Sequence, residues 1–138
     1  MLKGTGKADI KLNKKDGIIL SPVTINGTYT GKFIVDTGAS MVTLSTKFAD
    51  KLGLPYQKWE TRLLYTANGS TNAKIGTLDS VSLQGLSAKN VEVAVIENTK
   101  DDGTDGLLGL SFLTRFNMKM DGKRGYLRLD SNPIEKNK

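Results

Sequence analysis

Short apolar runs broken by turn residues, rather than long amphipathic periods, organise this chain. Asp9 to Leu12 alternates polar and apolar positions. Ile18 to Ile25 reads as a strand that Asn26-Gly27 turns back as a two-residue hairpin, and the returning strand runs from about Thr28 to Val35. Met41 to Leu44 continues as a short strand. Ser45 or Thr46 then N-caps a helix with Phe48 and Leu52 on one face, Gly53 at its C-terminal end and Pro55 beyond it. Trp59 to Ala67, Asn68-Gly69 and Ser70 to Ile75 predict a second hairpin, with Trp59 at a core edge or at the hairpin's base. Leu78 to Leu83 and Val91 to Ile96 are further strands, with Val91, Val93 and Val95 on one face.

The last third is punctuated in the same way. Asn98 to Gly106 is a polar loop, followed by the apolar pair Leu107-Leu108 and by Gly109. Leu110 to Phe116 predicts a short helix with Leu113 and Phe116 inward. Met118 to Met120, a turn at Asp121-Gly122 and Tyr126 to Leu129 make a closing hairpin, in which the two methionines mark one face of a strand. The pattern predicts an all-β fold with one or two short helices: a single domain over residues 1–130, then a polar tail over 131–138.

Composition narrows the chemistry. The chain has 138 residues, 38% hydrophobic and 25% charged, enough for one ordinary core. It has no Cys and no His, which removes disulfides, thiol nucleophiles, Cys-based zinc sites, the Ser-His-Asp triad and the usual general base. Acid–base chemistry near neutral pH is left to carboxylates, lysine or tyrosine. The net charge of +6 comes from scattered basic residues, with mild clusters at Lys11, Lys14 and Lys15 and at Lys119, Lys123, Arg124 and Arg128. Without a basic helix or an aromatic RNA-binding box this reads as a solvated surface, and no nucleic-acid partner is expected. No apolar run reaches about 18 residues and no h-region follows Met1, so neither a membrane segment nor a signal peptide is expected within the sequence. The compartment stays open: cytoplasmic if the chain is complete, otherwise a piece of a membrane-anchored or periplasmic protein.

Asp36 is the candidate for chemistry. Phe33-Ile34-Val35 carries it to a strand end, and Thr37, Gly38, Ala39 and Ser40 follow as a run of small residues open to close approach. Ser40 and the backbone N–H groups around Gly38 are candidate donors to the carboxylate. An Asx-turn closing a strand is the plain structural alternative.

Three motifs in order make the chain resemble the retropepsin-type aspartic proteases (clan AA), over about Ile18 to Leu129. They are Asp36-Thr37-Gly38-Ala39-Ser40 before a helix, Tyr65-Thr66-Ala67-Asn68-Gly69 in a hairpin where that family has its flap, and Asp105-Gly106-Leu107-Leu108-Gly109-Leu110. Leu110 stands where retroviral enzymes carry an arginine, which favours the bacterial and retrotransposon branches. The resemblance implies a closed β-barrel of the acid protease fold, a catalytic Asp36, a loop built from Thr37 to Ser40, and a flap over extended peptide formed by Tyr65, Thr66, Ala67, Asn68 and Gly69. It also implies a structural brace at Leu107, Leu108 and Gly109, and neither metal nor cofactor. The implied mechanism needs two aspartates, and Asp79, Asp105, Asp121 and Asp130 lack the motif. The resemblance therefore implies a homodimer with one Asp36 per chain, Thr37 bonding across its axis, acting as an endopeptidase on peptide or protein. A single tip glycine departs from the glycine-rich retroviral flap. The polar stretch after Ser131 offers no obvious dimerising strand. An inactive dimeric module that binds extended peptide as an added strand is the alternative.

Overall fold

The computed structural model describes residues 7–13, 18–66, 69–97, 103–121, 123 and 125–131, with residues 7, 8, 11–13 and 66 described by backbone alone. Ten strands form one sheet: β1 (Lys7–Asn13), β2 (Ile18–Ile25), β3 (Tyr29–Val35), β4 (Val42–Ser45), β5 (Glu60–Thr66), β6 (Gly69–Leu83), β7 (Leu86–Ile96), β8 (Gly106–Leu108), β9 (Asn117–Asp121) and β10 (Tyr126–Asp130). Two short helices, α1 (Thr46–Leu52) and α2 (Leu110–Leu113), and a 3-10 turn at Tyr56–Lys58 complete the described elements. The all-β expectation holds. None of these helices is long and apolar enough to cross a membrane. Ser131 is buried, and the rest of the expected polar tail lies outside the described residues.

The strand order is β5-β6-β7-β4-β8-β3-β2-β1-β10-β9, and β6 also pairs with β2. Strands β6, β7, β4, β8, β3 and β2 thereby return on themselves as a ring. The seam is narrow, with the pairs Thr24↔Ser82 and Ile25↔Val81. Asn26 extends it: its N–H donates to Ser80 O at 2.8 Å and its Oδ1 accepts from Ser80 N–H at 3.1 Å. Inside the ring lies one apolar cluster that includes Val23, Phe33, Leu44, Phe48, Leu78, Val93, Leu108 and Phe112. Phe33 and Phe48 meet edge to face at 5.8 Å, a geometry that suits the ring quadrupoles.

Local signals explain most boundaries. Asn26 (φ 53) and Gly27 (φ 67) take the positive φ of the first hairpin, but the connection has three residues and β3 starts at Tyr29. Helix α1 starts where Ser45 Oγ accepts from Phe48 N–H at 3.1 Å and stops at Gly53 (φ 73). Ser45→Ala is expected to cost about 1 kcal/mol, read as a lowered urea midpoint at unchanged slope.

Three expectations need correction. Ser70–Ile75 and Leu78–Leu83 are one strand, β6. Gly76 does not break it, because the Trp59 indole lies over that position and a Cβ there would come within 2.5 Å of the ring. Strand β7 begins at Leu86, five residues before Val91, after a turn at Gln84 (φ 48) and Gly85 (φ 89). The helix expected to Phe116 ends at Leu113. Thr114 Oγ1 donates to Leu110 O at 2.7 Å, and Arg115 and Phe116 N–H tighten onto carbonyls three residues back. Phe116 still packs inward, 5.0 Å from the Phe112 ring.

Candidate active site

Strand β3 places Asp36. Gly31, Phe33 and Val35 point into the core while their neighbours face outward. β3 runs parallel to β8 in the register Phe33↔Gly106, Ile34↔Leu107 and Val35↔Leu108. The ladder continues one step, with Asp36 N–H donating to Leu108 O at 3.1 Å. The chain then turns tightly. Ala39 N–H donates to Asp36 O at 3.1 Å, and Gly38 N–H donates to Asp36 Oδ1 at 2.8 Å. The carboxylate's donor is therefore Gly38, and Ser40, exposed at the loop's far end, supplies none. Asp36 is half-buried and Thr37 and Gly38 are exposed.

The segment Leu107-Leu108-Gly109 holds this loop from below. β8 lies between β3 and β4, pairing antiparallel with β4 at Thr43↔Leu107 and Leu44↔Gly106. Leu110 N–H donates to Ala39 O at 2.9 Å. A Cβ on Gly109 would run into the backbone oxygens of Met41 and Ala39. This glycine is a matter of close approach rather than of dihedral freedom, since its φ is −98°.

Two further residues fix the strands on either side of this loop, and sequence reasoning assigned neither a role. Asp105 Oδ2 accepts from Lys32 N–H at 2.9 Å, while its own N–H donates to Lys32 O at 2.8 Å and its O accepts from Ser45 N–H at 3.1 Å. Ser111 Oγ donates to Glu92 O at 2.7 Å and accepts from Val42 N–H at 2.9 Å, tying α2 to β4 and β7. Asp105 sits in one of the three motifs, so its position carried a signal. Ser111 carried none.

Asp36 and Thr37 open onto a groove of about 490 Å³ lined by Ile18, Ile19, Ile34, Val35, Met118, Met120 and Leu127. Among the described residues Asp36 is the only ionisable side chain on that lining. Met118 and Met120 do share one face of a strand, as expected, but they are 43% and 56% exposed and line this groove. The hairpin β5–β6 pairs from Glu60↔Ile75 to Thr66↔Gly69. Tyr65 near its end is 83% exposed and Gly69 has φ 114. Ala67 and Asn68 at the tip lie outside the described residues. Trp59 stands at the base of this hairpin against Gly76.

The model of the aspartyl protease family matches residues 21–112. A crystal structure of a retropepsin-like aspartic protease from Rickettsia conorii superposes with a TM-score of 0.75 at 35% identity, covering 91% of each chain. An uncharacterized protein of Rickettsia prowazekii (strain Madrid E) is 42% identical over 86 residues, 62% of this chain and 36% of its own length. The DNA damage-inducible protein 1 of Yarrowia lipolytica is 36% identical over 107 residues, 76% of this chain and 26% of its own. The chain thus spans well under two thirds of these curated relatives.

Proposed function

The chain belongs to the aspartyl protease family and has its retropepsin-like fold, and on that premise we propose that it is an aspartic endopeptidase whose site forms between two copies. The observation that carries this reading is the half-buried Asp36, held by Gly38 N–H at the mouth of a largely apolar groove with no second carboxylate among the described residues of its lining. Two carboxylates brought within about 3 Å share one proton, because both cannot ionise easily. The ionised Asp36 takes a proton from a water, which attacks the scissile carbonyl. The protonated Asp36 of the second copy donates a hydrogen bond to that carbonyl oxygen and later supplies the proton of the leaving amine. In this reading Thr37, exposed beside it, bonds across the axis and holds the two loops in register. The hairpin from Tyr65 to Gly69 closes over an extended segment, adding backbone hydrogen bonds and excluding water. Asp36 is the catalytic residue in this reading. Leu107, Leu108 and Gly109 position its loop.

Hydrolysis of an unfolded protein, followed across a dilution series, tests it. Activity per chain is expected to rise with concentration until dimerisation saturates. Hydrolysis whose rate per chain stays flat as the dimer dissociates would refute the shared site. Binding of a transition-state-mimicking inhibitor without any cleavage would replace this reading by the inactive peptide-binding module.

A further inference from the structure

Two apolar clusters divide the described interior. The larger fills the ring. The smaller consists of Met41, Ala73, Ile75 and Ala94, with Leu64 and Ile96 packed against it. Strand alternation sorts them. Val42 and Leu44 of β4 and Val93 and Val95 of β7 face the ring's core, so Ala94 faces away from it, as does its β6 partner Ile75. On the hairpin β5–β6, Leu64 lies opposite Thr71, on the face that carries Ala73 and Ile75. The hairpin also outreaches its neighbour. β6 pairs with β7 from Lys74 to Leu83, but from Gly69 to Ala73 its partner among the described residues is β5 alone. The small cluster is therefore the apolar seat on which the hairpin rests where the ladder to β7 has ended.

Met41 belongs both to that seat and to the end of the Asp36 loop. Its side chain is 7% exposed within the cluster. Its backbone oxygen is the atom that a Cβ on Gly109 would meet first, at the base of the loop. The next residue is pinned by the bond from Val42 N–H to Ser111 Oγ. The backbone is thereby fixed, while the unbranched thioether attached to it can follow a moving surface. Ala73 and Ala94 bring only methyl groups, which leaves the filling of the seat to Met41 and Ile75. We propose that Met41 is a positioning residue that couples the hairpin to Asp36. Its side chain seats the hairpin, and its backbone passes the hairpin's position to the loop beside Gly109. This rests on the hairpin closing over substrate, as read above, and adds the residue through which closure reaches the acid. Because the cluster is separate from the ring's core, the hairpin can leave its seat without the ring opening.

Cutting by chymotrypsin after the exposed Tyr65 reads the seat, since the hairpin must lift before a protease can hold it. The cut is followed by mass in the Asp36→Asn background, which keeps self-cleavage out of the measurement. Met41→Ala is expected to speed it about tenfold. Val23→Ala, in the ring's core, also lowers the denaturant midpoint but should leave the cut within about threefold of its rate, because Val23 stays packed when the hairpin lifts. With Asp36 restored, Met41→Ala should raise KM about tenfold and lower kcat about tenfold. Leu64→Ala, which belongs to the seat alone, should raise KM and leave kcat unchanged. Met41→Leu should return both constants to within about threefold of the parent. Leu64 is half-buried, so Leu64→Ala carries the cutting test if Met41→Ala does not fold. A Tyr65 cut no faster in the Met41 or Leu64 variant than in the parent, one speeded as much by Val23→Ala, or an unchanged kcat in Met41→Ala overturns the coupling and leaves the shared-site protease standing. A parent that hydrolyses nothing, while the Tyr65 cut follows Met41 as expected, overturns the protease and leaves the seat.

Discussion

Asp36→Asn is expected to leave the thermal midpoint within a few degrees of the parent while hydrolysis falls at least about a thousandfold, roughly 4 kcal/mol of transition-state stabilisation. The amide keeps an oxygen that can accept from Gly38 N–H, so the loop held by that 2.8 Å bond need not move. What is lost is the carboxylate proposed to activate water. The variant also separates a shared site from a site within one chain. Mixed in equal amounts with the parent and allowed to exchange, it should reduce activity to about a quarter of that of the same total of parent chains, because only a quarter of randomly assorted dimers carry two acids. If each chain acted alone the mixture would retain about half. A mixing curve that follows the second value, or an Asn variant of undiminished activity, would remove Asp36 from the chemistry proposed for it.

Gly109→Ala is expected to be the most damaging single methyl group near the site, destabilising by about 2–4 kcal/mol. The two atoms a Cβ would strike are backbone oxygens, of Met41 and Ala39, which cannot swing aside as a side chain can. Relief would require moving β4 or the Asp36 loop, and Leu110 N–H would lose its bond to Ala39 O as the loop shifts. Activity should fall even at temperatures where the variant stays folded. Gly27→Ala is the matched control: nothing lies within 4 Å of its Cβ, so only the positive φ of 67° is strained, at about 1 kcal/mol. Equal denaturant midpoints for the two variants would show that close approach at Gly109 is not what fixes the loop.

The parts that sequence reading reached are those written in adjacent residues. Strand β2 matches its predicted limits, Ser45 and Gly53 cap α1 as their types require, and the run from Phe33 to Ser40 identified a strand delivering an acid into a tight loop. The parts it missed depend on residues far apart in the chain. Gly76 reads locally as a break, and only the Trp59 ring lying over it explains why β6 runs through. The methionines of β9 look like any strand face until the fold sets them beside Asp36 and leaves them uncovered. Asp105 reads as a loop acid, yet its carboxylate and backbone bind β3 across 73 positions of sequence. Gln84-Gly85 makes a two-residue turn, tighter than the one at Asn26-Gly27, but lacks an Asn or Asp to advertise it.

That same long reach from Lys32 to Asp105 bears on the chain's synthesis. Asp36 leaves the ribosome about seventy residues before the strand that accepts its N–H and the glycine beneath its loop. Until then the loop has no floor and β3 lacks its parallel neighbour β8, so the nascent chain carries Asp36 in an unshaped segment. The Asp36 loop thus gains its geometry only after the segment from Asp105 to Leu110 has been made.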